Sequence, residues 1–363
     1  TFANWKRGIP QLITYPDSTS HAFVVENNGW ITRSTDAKGY ATDYDWDNIG
    51  RLERVEYPTN DGINRLDKVI TYGLVTSSDL SISGAGLLAG QYKQTKTRGD
   101  LKVTTYLDAM LRPVLSRTQD TGDASLDRWT RQSFDTSNRP VFNSFPSSTA
   151  YATSGTNSTF DALGRALNQT ENVSPYASTS YAYLSGNRVR ITNPRGKQTT
   201  TSFFALGAPD QSAPTLIQQP ESVTTTVVRN NFGEMTSATQ SGTNPTVSAT
   251  RRYYYDTSHR LCRQVDPETG STAYNYNNNG QMTWYALAAS GSTSSCDLGA
   301  VPANQKIVHS YNSLGQLTYV NYPDSSPDLT YDYDDNGNLE LLTSSAASWT
   351  YDCNAVNVLI EEE

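Results

Sequence analysis

Three histidines, His21, His259 and His309, are the first side chains to weigh as general bases, because imidazole titrates near neutral pH without help. They stand far apart in the chain. His259 takes a turn position where glycine otherwise recurs and His309 lies in a strand-like run, so neither is read as a catalytic base. A glycosidase needs only two carboxylates facing a sugar, and aspartate is abundant here. Most of these aspartates open tight turns, which accounts for them without catalysis. Asp332-Tyr333-Asp334-Asp335-Asn336-Gly337 imitates the start of a calcium loop, with oxygen ligands at alternate positions before a glycine. The twelfth position, where a bidentate glutamate belongs, holds Thr343, and the similar opening at Asn275 leads to Ala286. The expectation is therefore no catalytic residue, no bound metal and no cofactor. Cys262, Cys296 and Cys353 are too few for a disulfide framework and lack zinc spacing. A Cys262–Cys296 bridge would tie the Gly/Ser-rich insertion at residues 286–303 back to its neighbours in an exported protein.

The elements behind these residues follow from composition. Of 363 residues only 36% are hydrophobic, a figure that includes 23 Tyr, and 18% are charged. Tyrosine keeps its hydroxyl near water or a partner, so a large oily core is not expected. A disordered chain would carry more charge and fewer aromatics than the 10% found here. The net charge of −8 and pI near 5.0 leave no basic footprint, which argues against nucleic acid and anionic lipid as partners. No run approaches the roughly 18 apolar residues of a membrane span. The start at Thr1 and the end at Glu361, Glu362 and Glu363 after an apolar run read as cuts in a longer protein.

One frame recurs along the chain: aromatic, Asp, two variable residues, Gly, Arg, Leu. It reads Trp46-Asp47-Asn48-Ile49-Gly50-Arg51-Leu52, then Phe160-Asp161-Ala162-Leu163-Gly164-Arg165, then Tyr255-Asp256-Thr257-Ser258-His259-Arg260-Leu261. Further copies are Tyr276-Asn277-Asn278-Asn279-Gly280, Tyr311-Asn312-Ser313-Leu314-Gly315 and Tyr333-Asp334-Asp335-Asn336-Gly337. Weaker ones begin at Leu107, Phe134, Phe204 and Phe232. A second turn signal, such as Asn193-Pro194-Arg195-Gly196 or Asp266-Pro267-Glu268-Thr269-Gly270, falls between several copies. Aspartate or asparagine at a turn's first position accepts backbone N–H bonds, and glycine supplies the positive φ that closes a hairpin. Units of roughly 20 residues with two turns each cannot bury a face alone and must stack on their neighbours. The preceding Tyr-x-Tyr alternation places aromatics on one strand face, where they are expected to form cross-strand ladders in place of a core. Helical periodicity is nearly absent.

These copies resemble the Tyr-Asp (YD) repeats of RHS-repeat proteins, a family of bacterial polymorphic toxins, toxin-complex C subunits and animal teneurins. The match is strongest over residues 253–351 and weakest over residues 61–102. The resemblance implies an all-β fold, a tandem hairpin strip curling into a spiral or cocoon-like shell. Residues 1–363 are expected to form one array, with irregular insertions near 78–99, 144–156, 208–221 and 286–303. The residues carrying the structural role are Asp47, Gly50, Arg51, Asp161, Gly164, Arg165, Tyr255, Asp256, Arg260, Tyr276, Gly280, Tyr311, Gly315, Tyr333, Asp334 and Gly337. In the family the shell encloses a C-terminal effector, so the expected partner is a cargo polypeptide encoded beyond residue 363. Cargo-releasing members end at an Asp-Pro-x-Gly-Leu self-cleavage motif. Asp266-Pro267-Glu268-Thr269-Gly270 has an extra residue, lacks the leucine and falls at a repeat turn, so no autoproteolysis is assigned to it.

Three functions compete at this stage. The first is a structural, non-enzymatic wall segment, exported to the cell surface or beyond. The second is a surface module binding glycans or protein through aromatics such as Trp30, Trp46, Trp129, Trp284 and Trp349. The third is a β-solenoid polysaccharide hydrolase.

Overall fold

The computed structural model describes residues 1–205, 211–243 and 245–362. The weak repeat copy beginning at Phe204 and the insertion at 208–221 lie partly outside them. Among the described residues there are thirty strands, one helical turn at Ser77–Leu80 and four short 3-10 turns. Strand-forming residues explain this directly. Runs such as Leu101–Leu107 (LKVTTYL) and Thr224–Arg229 (TTTVVR) are dominated by β-branched and aromatic side chains, which suit a pleated surface.

The chain divides into two compact units, residues 1–180 with 354–358 and residues 181–353 with 359–363. In the first, every strand from Phe2–Lys6 to Ser178–Leu184 pairs antiparallel with the next one in sequence. In the second, the same holds from Arg188–Thr192 to Leu359–Glu362. Each is a β-meander, the connection that short turns permit. Cross-strand hydroxyl pairs supplement the backbone ladder, with Thr239 and Thr250 Oγ1 atoms 2.9 Å apart and Thr170 and Ser178 at 2.8 Å. A chain so poor in aliphatic residues thus draws part of its cross-strand packing from threonine.

Larger buried clusters arise where insertions fold back over the strands. In the first unit, Val75, Ala85 and Ala150 pack with Tyr106, Leu115 and Trp129 of the sheet. The helical turn begins with a capping box in which Thr76 and Asp79 satisfy each other's backbone N–H groups. Asp79 is buried and accepts from Tyr106 Oη at 2.8 Å and from Lys93 Nζ. Burial works against its charge, but Lys93, Thr76 and Tyr106 hold the carboxyl well below the usual range. In the second unit, Ala289 and Val301 pack on Ala273 and Ala286, with Trp284 and Leu298 at the margin.

Candidate functional site

The repeated turn is a compact hydrogen-bonding device. In the copy at 256–260, Asp256 N–H donates to the Arg260 carbonyl at 2.8 Å and His259 N–H to the Asp256 carbonyl at 3.0 Å. Asp256 Oδ1 accepts the N–H groups of Ser258 and Arg260, while Oδ2 takes Arg260 Nε at 2.8 Å. One carboxylate therefore satisfies two turn amides and a guanidinium. The same bonds recur at Asp47–Arg51 and Asp161–Arg165, and also at Asp108–Arg112 and Asp135–Arg139. All five carboxyls lie below their ordinary range. The arginine backbone N–H is the largest cause at Asp47 and Asp135, and the guanidinium at Asp108. At Asp161 and Asp256 burial opposes ionisation, yet the amide and guanidinium bonds of Arg165 and Arg260 outweigh it.

The fourth turn residue must adopt positive φ, which Gly50, Gly164, Gly280, Gly315 and Gly337 supply at +81 to +85°. At Gly315 space is short as well, since a Cβ there would meet Gln281 Nε2 at 3.1 Å. A register shift follows each turn, as between Tyr254 and Tyr255 opposite Leu261. That is the bulge expected beside a residue in this conformation.

Successive repeats are fastened by the aromatic and the arginine. Tyr255 Oη donates to the Met235 carbonyl at 2.8 Å, Tyr276 to Leu261 at 3.0 Å, Tyr311 to Met282 at 2.9 Å and Tyr333 to Leu317 at 2.8 Å. Each acceptor is the strand residue just past the preceding turn. In return the preceding arginine lies over the aromatic ring: Arg112 over Phe134 at 4.6 Å, Arg139 over Phe160 at 5.0 Å and Arg260 over Tyr276 at 4.9 Å. Its Nη1 then reaches the first carbonyl of the next turn, 2.9 Å from Arg139 to Asp161 and 2.7 Å from Arg260 to Asn277. Half-burial pushes the Tyr255, Tyr276, Tyr311 and Tyr333 hydroxyls up, keeping them protonated as donors.

The expected aromatic ladder is thus differently built. Among the described residues, the ring pairs, such as Trp30 with Trp46 or Phe232 with His259, do not join the tyrosines of successive repeats. These tyrosines instead meet a carbonyl of the hairpin before them, and Tyr276 meets its guanidinium as well. In two copies both partners are exchanged, Asn277 Nδ2 donating to Gln281 Oε1 at 2.6 Å and Asn312 to Gln316 at 2.7 Å, whereas Asp334 is kept opposite Asn338. Gln316 Nε2 still reaches the following turn, at Gly337 O, 3.2 Å away. That paired exchange, Asp with Arg for Asn with Gln, was the sequence signal that would have revealed the contact.

Cys262 and Cys296 form a disulfide with Cα atoms 5.4 Å apart, and Cys353 is not part of it. Beside them Arg263, fully buried, is a residue that sequence reasoning missed. Its Nε donates to Cys296 O at 2.8 Å, Nη1 to Ser271 Oγ at 2.7 Å, and Nη2 to Ser290 O and Asp297 O at 3.2 Å. Burial lowers its pKa, yet it clamps the insertion through carbonyls rather than through a direct ion pair.

The remaining candidates do not converge on chemistry. His259 faces Glu234 at 3.1 Å and Phe232, His21 lies edge-on to Tyr15, and His309 is lowered by burial beside Tyr285. Asp266 and Gly270 pair across an ordinary hairpin end, with Arg251 and Gln264 on the carboxylate. Among the described residues no group of three or more His, Cys, Asp or Glu is arranged to hold a metal ion. The tryptophans considered for glycan stacking are at least half-buried: Trp129 sits in the first cluster, Trp284 lies under Lys306, and Trp46 donates to Ile31 O.

No protein-family model and no curated protein matches this sequence. Solved structures do. The chain is similar to the crystal structure of TcdB2-TccC3-TEV, with a TM-score of 0.55 and 12% identity over 95% of its length. A second match is TcdB2-TccC3 without its hypervariable C-terminal region, with a TM-score of 0.54 and 12% identity over 94% of its length. The chain spans about a fifth of the length of those chains, 20% and 19%. At such identity the likeness speaks to the fold, and the all-β repeated-hairpin fold expected from the YD resemblance is borne out by it.

Proposed function

We propose that the chain is a non-enzymatic segment of an RHS-type wall that encloses a polypeptide. The observation that carries this reading is the repeat-to-repeat fastening. Tyrosine hydroxyls, guanidinium stacking and turn carbonyls bind successive repeat hairpins to one another, so the charged and aromatic residues of the repeats serve continuity of the sheet rather than a pocket. The similar TcdB2-TccC3 structures support the same role, one of them being defined by a hypervariable C-terminal region that was removed. An enclosed C-terminal cargo and export to an oxidising compartment belong to this proposal, the latter in keeping with the Cys262–Cys296 bridge. The test is limited proteolysis of the native, full-length gene product followed by mass spectrometry. A wall predicts a protected polypeptide, unrelated in sequence to the repeats, that becomes digestible once the repeats are unfolded. Equal digestion of all non-repeat segments before unfolding would refute it.

A further inference from the structure

We infer that the loop at 57–67 is a seat for a repeat turn and that the turn at 354–358 is a latch held in it, one that lets go at a single amide while the turn itself stays folded. The repeat turn closes with the first, third, fourth and fifth of its N–H groups, and the second has no part in closure. Pro194, which has no N–H, shows this: it takes the second position of a turn that still joins Asn193 N–H to Lys197 O, Gly196 N–H to Asn193 O, and the Arg195 and Lys197 N–H groups to Asn193 Oδ1 at 3.0 Å. The turn at 354–358 repeats these bonds around Asn354. Its second N–H, that of Ala355, goes further and donates to Asp61 Oδ2 at 2.9 Å, 294 residues away in sequence. Both partners belong to the first compact unit.

Burial marks this turn as seated. Ala355 is 4% exposed, whereas its counterparts Asn48, Ala162, Thr257 and Ser313 are open to solvent. Val356 is half-buried where Ile49, Leu163 and Phe232 stand at 73 to 78% exposure. The seat is itself a converted copy of the frame. Asp61-Gly62-Ile63-Asn64-Arg65-Leu66 keeps the aspartate, the arginine four residues on and the leucine, but Asn60 stands where the aromatic belongs. Asp61 Oδ1 takes Ile63 N–H at 3.1 Å as in other copies, while both outer nitrogens of Arg65 grip the carboxylate. Arg65 is buried and anchored to Pro58 O at 2.7 Å. Its guanidinium, first among the causes, holds the Asp61 carboxyl well below the usual range, so the acceptor offered to Ala355 is ionised. One charge-assisted bond and the cover over an alanine and a valine keep the turn in place, and the turn's own bonds do not depend on the seat. The seat can therefore empty without the turn opening. This holds whether or not the chain encloses a polypeptide.

Hydrogen exchange on the whole chain, corrected for intrinsic rates, tests the latch. Ala355 N–H should exchange at least about tenfold more slowly than the second-position N–H groups of Ala162, Thr257 and Ser313. Asp61→Ser should bring Ala355 to within about threefold of those three and leave Asn357 N–H, which donates to Asn354 O inside the turn, at its parent rate. Asp61→Ser also unpairs Arg65, so Ala355→Pro provides a second route that removes the donor from the turn's side. It should speed exchange at Ile63 N–H, on the seat, at least about threefold, whereas Ala162→Pro at an unseated turn should leave Ile63 unchanged. Exchange at Ala355 as fast as at the three open positions, or at Ile63 indifferent to Ala355→Pro, would overturn the inference. So would Asn357 accelerating together with Ala355, because the turn would then melt with its seat rather than leave it.

Discussion

Replacing Arg263 by methionine tests whether the insertion at 286–303 is held by one buried cation. Methionine keeps most of the volume and removes every donor. It strands the carbonyls of Cys296, Ser290 and Asp297 and the hydroxyl of Ser271, all within 3.2 Å of the guanidinium in the parent. A hydrogen bond to a charged group contributes about 1.5–3 kcal/mol, and water can repair the carbonyls nearer the surface, so two unrepaired losses give about 3–6 kcal/mol. Repeat arrays need not unfold in one step, so the readout should be local. Ala289 N–H, which donates to Ser271 O at 2.7 Å, reports the opening of this insertion. A loss of about 3 kcal/mol corresponds to roughly 150-fold faster hydrogen exchange at that amide. The turn amides at 312–316 should keep their parent rates. Exchange at Ala289 within about threefold of the parent, with the disulfide intact, would refute the clamp and leave packing of Ala289 and Val301 as what holds the insertion.

Reducing the Cys262–Cys296 bond reopens a loop of 34 residues, for which chain entropy sets a ceiling of about 4 kcal/mol; urea unfolding followed at Trp284 should shift accordingly. Arg260→Gln should cost about 1–2 kcal/mol by losing Asp256, Asn277 O and the Tyr276 ring, and adding Asp256→Asn should recover at least half of it, because the neighbouring turn already runs on Asn277 and Gln281. A double-mutant cycle without recovery would show that the pairing is incidental. The five turn aspartates have folded values below the unfolded one, so their contribution is full above about pH 4 and is lost as pH falls through the depressed values. Hydrogen exchange at about pH 2.5 should accordingly loosen the turns at 47–51 and 161–165 before those opened by Asn277 and Asn312, which have no carboxylate to protonate.

The turns were legible in the sequence because their causes are local. Aspartate or asparagine, two free positions and glycine specify hydrogen bonds within five residues, and the structure makes those bonds at each strong copy. The fastening between repeats was half legible: periodicity announced that aromatics recur, but not that Phe134, Phe160 and Tyr276 would each meet an arginine from the hairpin before it. That contact depends on register across strands, and its trace in the sequence is the paired exchange of Asp and Arg for Asn and Gln. The insertions were legible only as interruptions. Their return over the sheet rests on small residues such as Ala273, Ala286 and Ala289, whose packing value appears only once a second backbone lies against them. Arg263 was hidden for the same reason, since a strand arginine reads as solvent-facing until an insertion covers it.

The way the repeats are joined also explains how a fold of this kind persists at 12% identity. Most of its hydrogen bonds run between backbone groups, which any sequence supplies. The side-chain contribution is carried by exchangeable pairs: Asp with Arg at 256 and 260, Asn with Gln at 312 and 316, and Asn with Glu at 230 and 234, where Asn230 Nδ2 donates to Glu234 Oε2 at 2.5 Å. Each pair closes its turn, and the longer side chain is free to reach the next one. Substitution in one repeat therefore disturbs two turns at most. What cannot drift is the positive φ of the fourth turn residue, which in the described copies of the repeat is supplied mostly by glycine, by Asn138 and Asn357, and at two turns by His259 and Leu111.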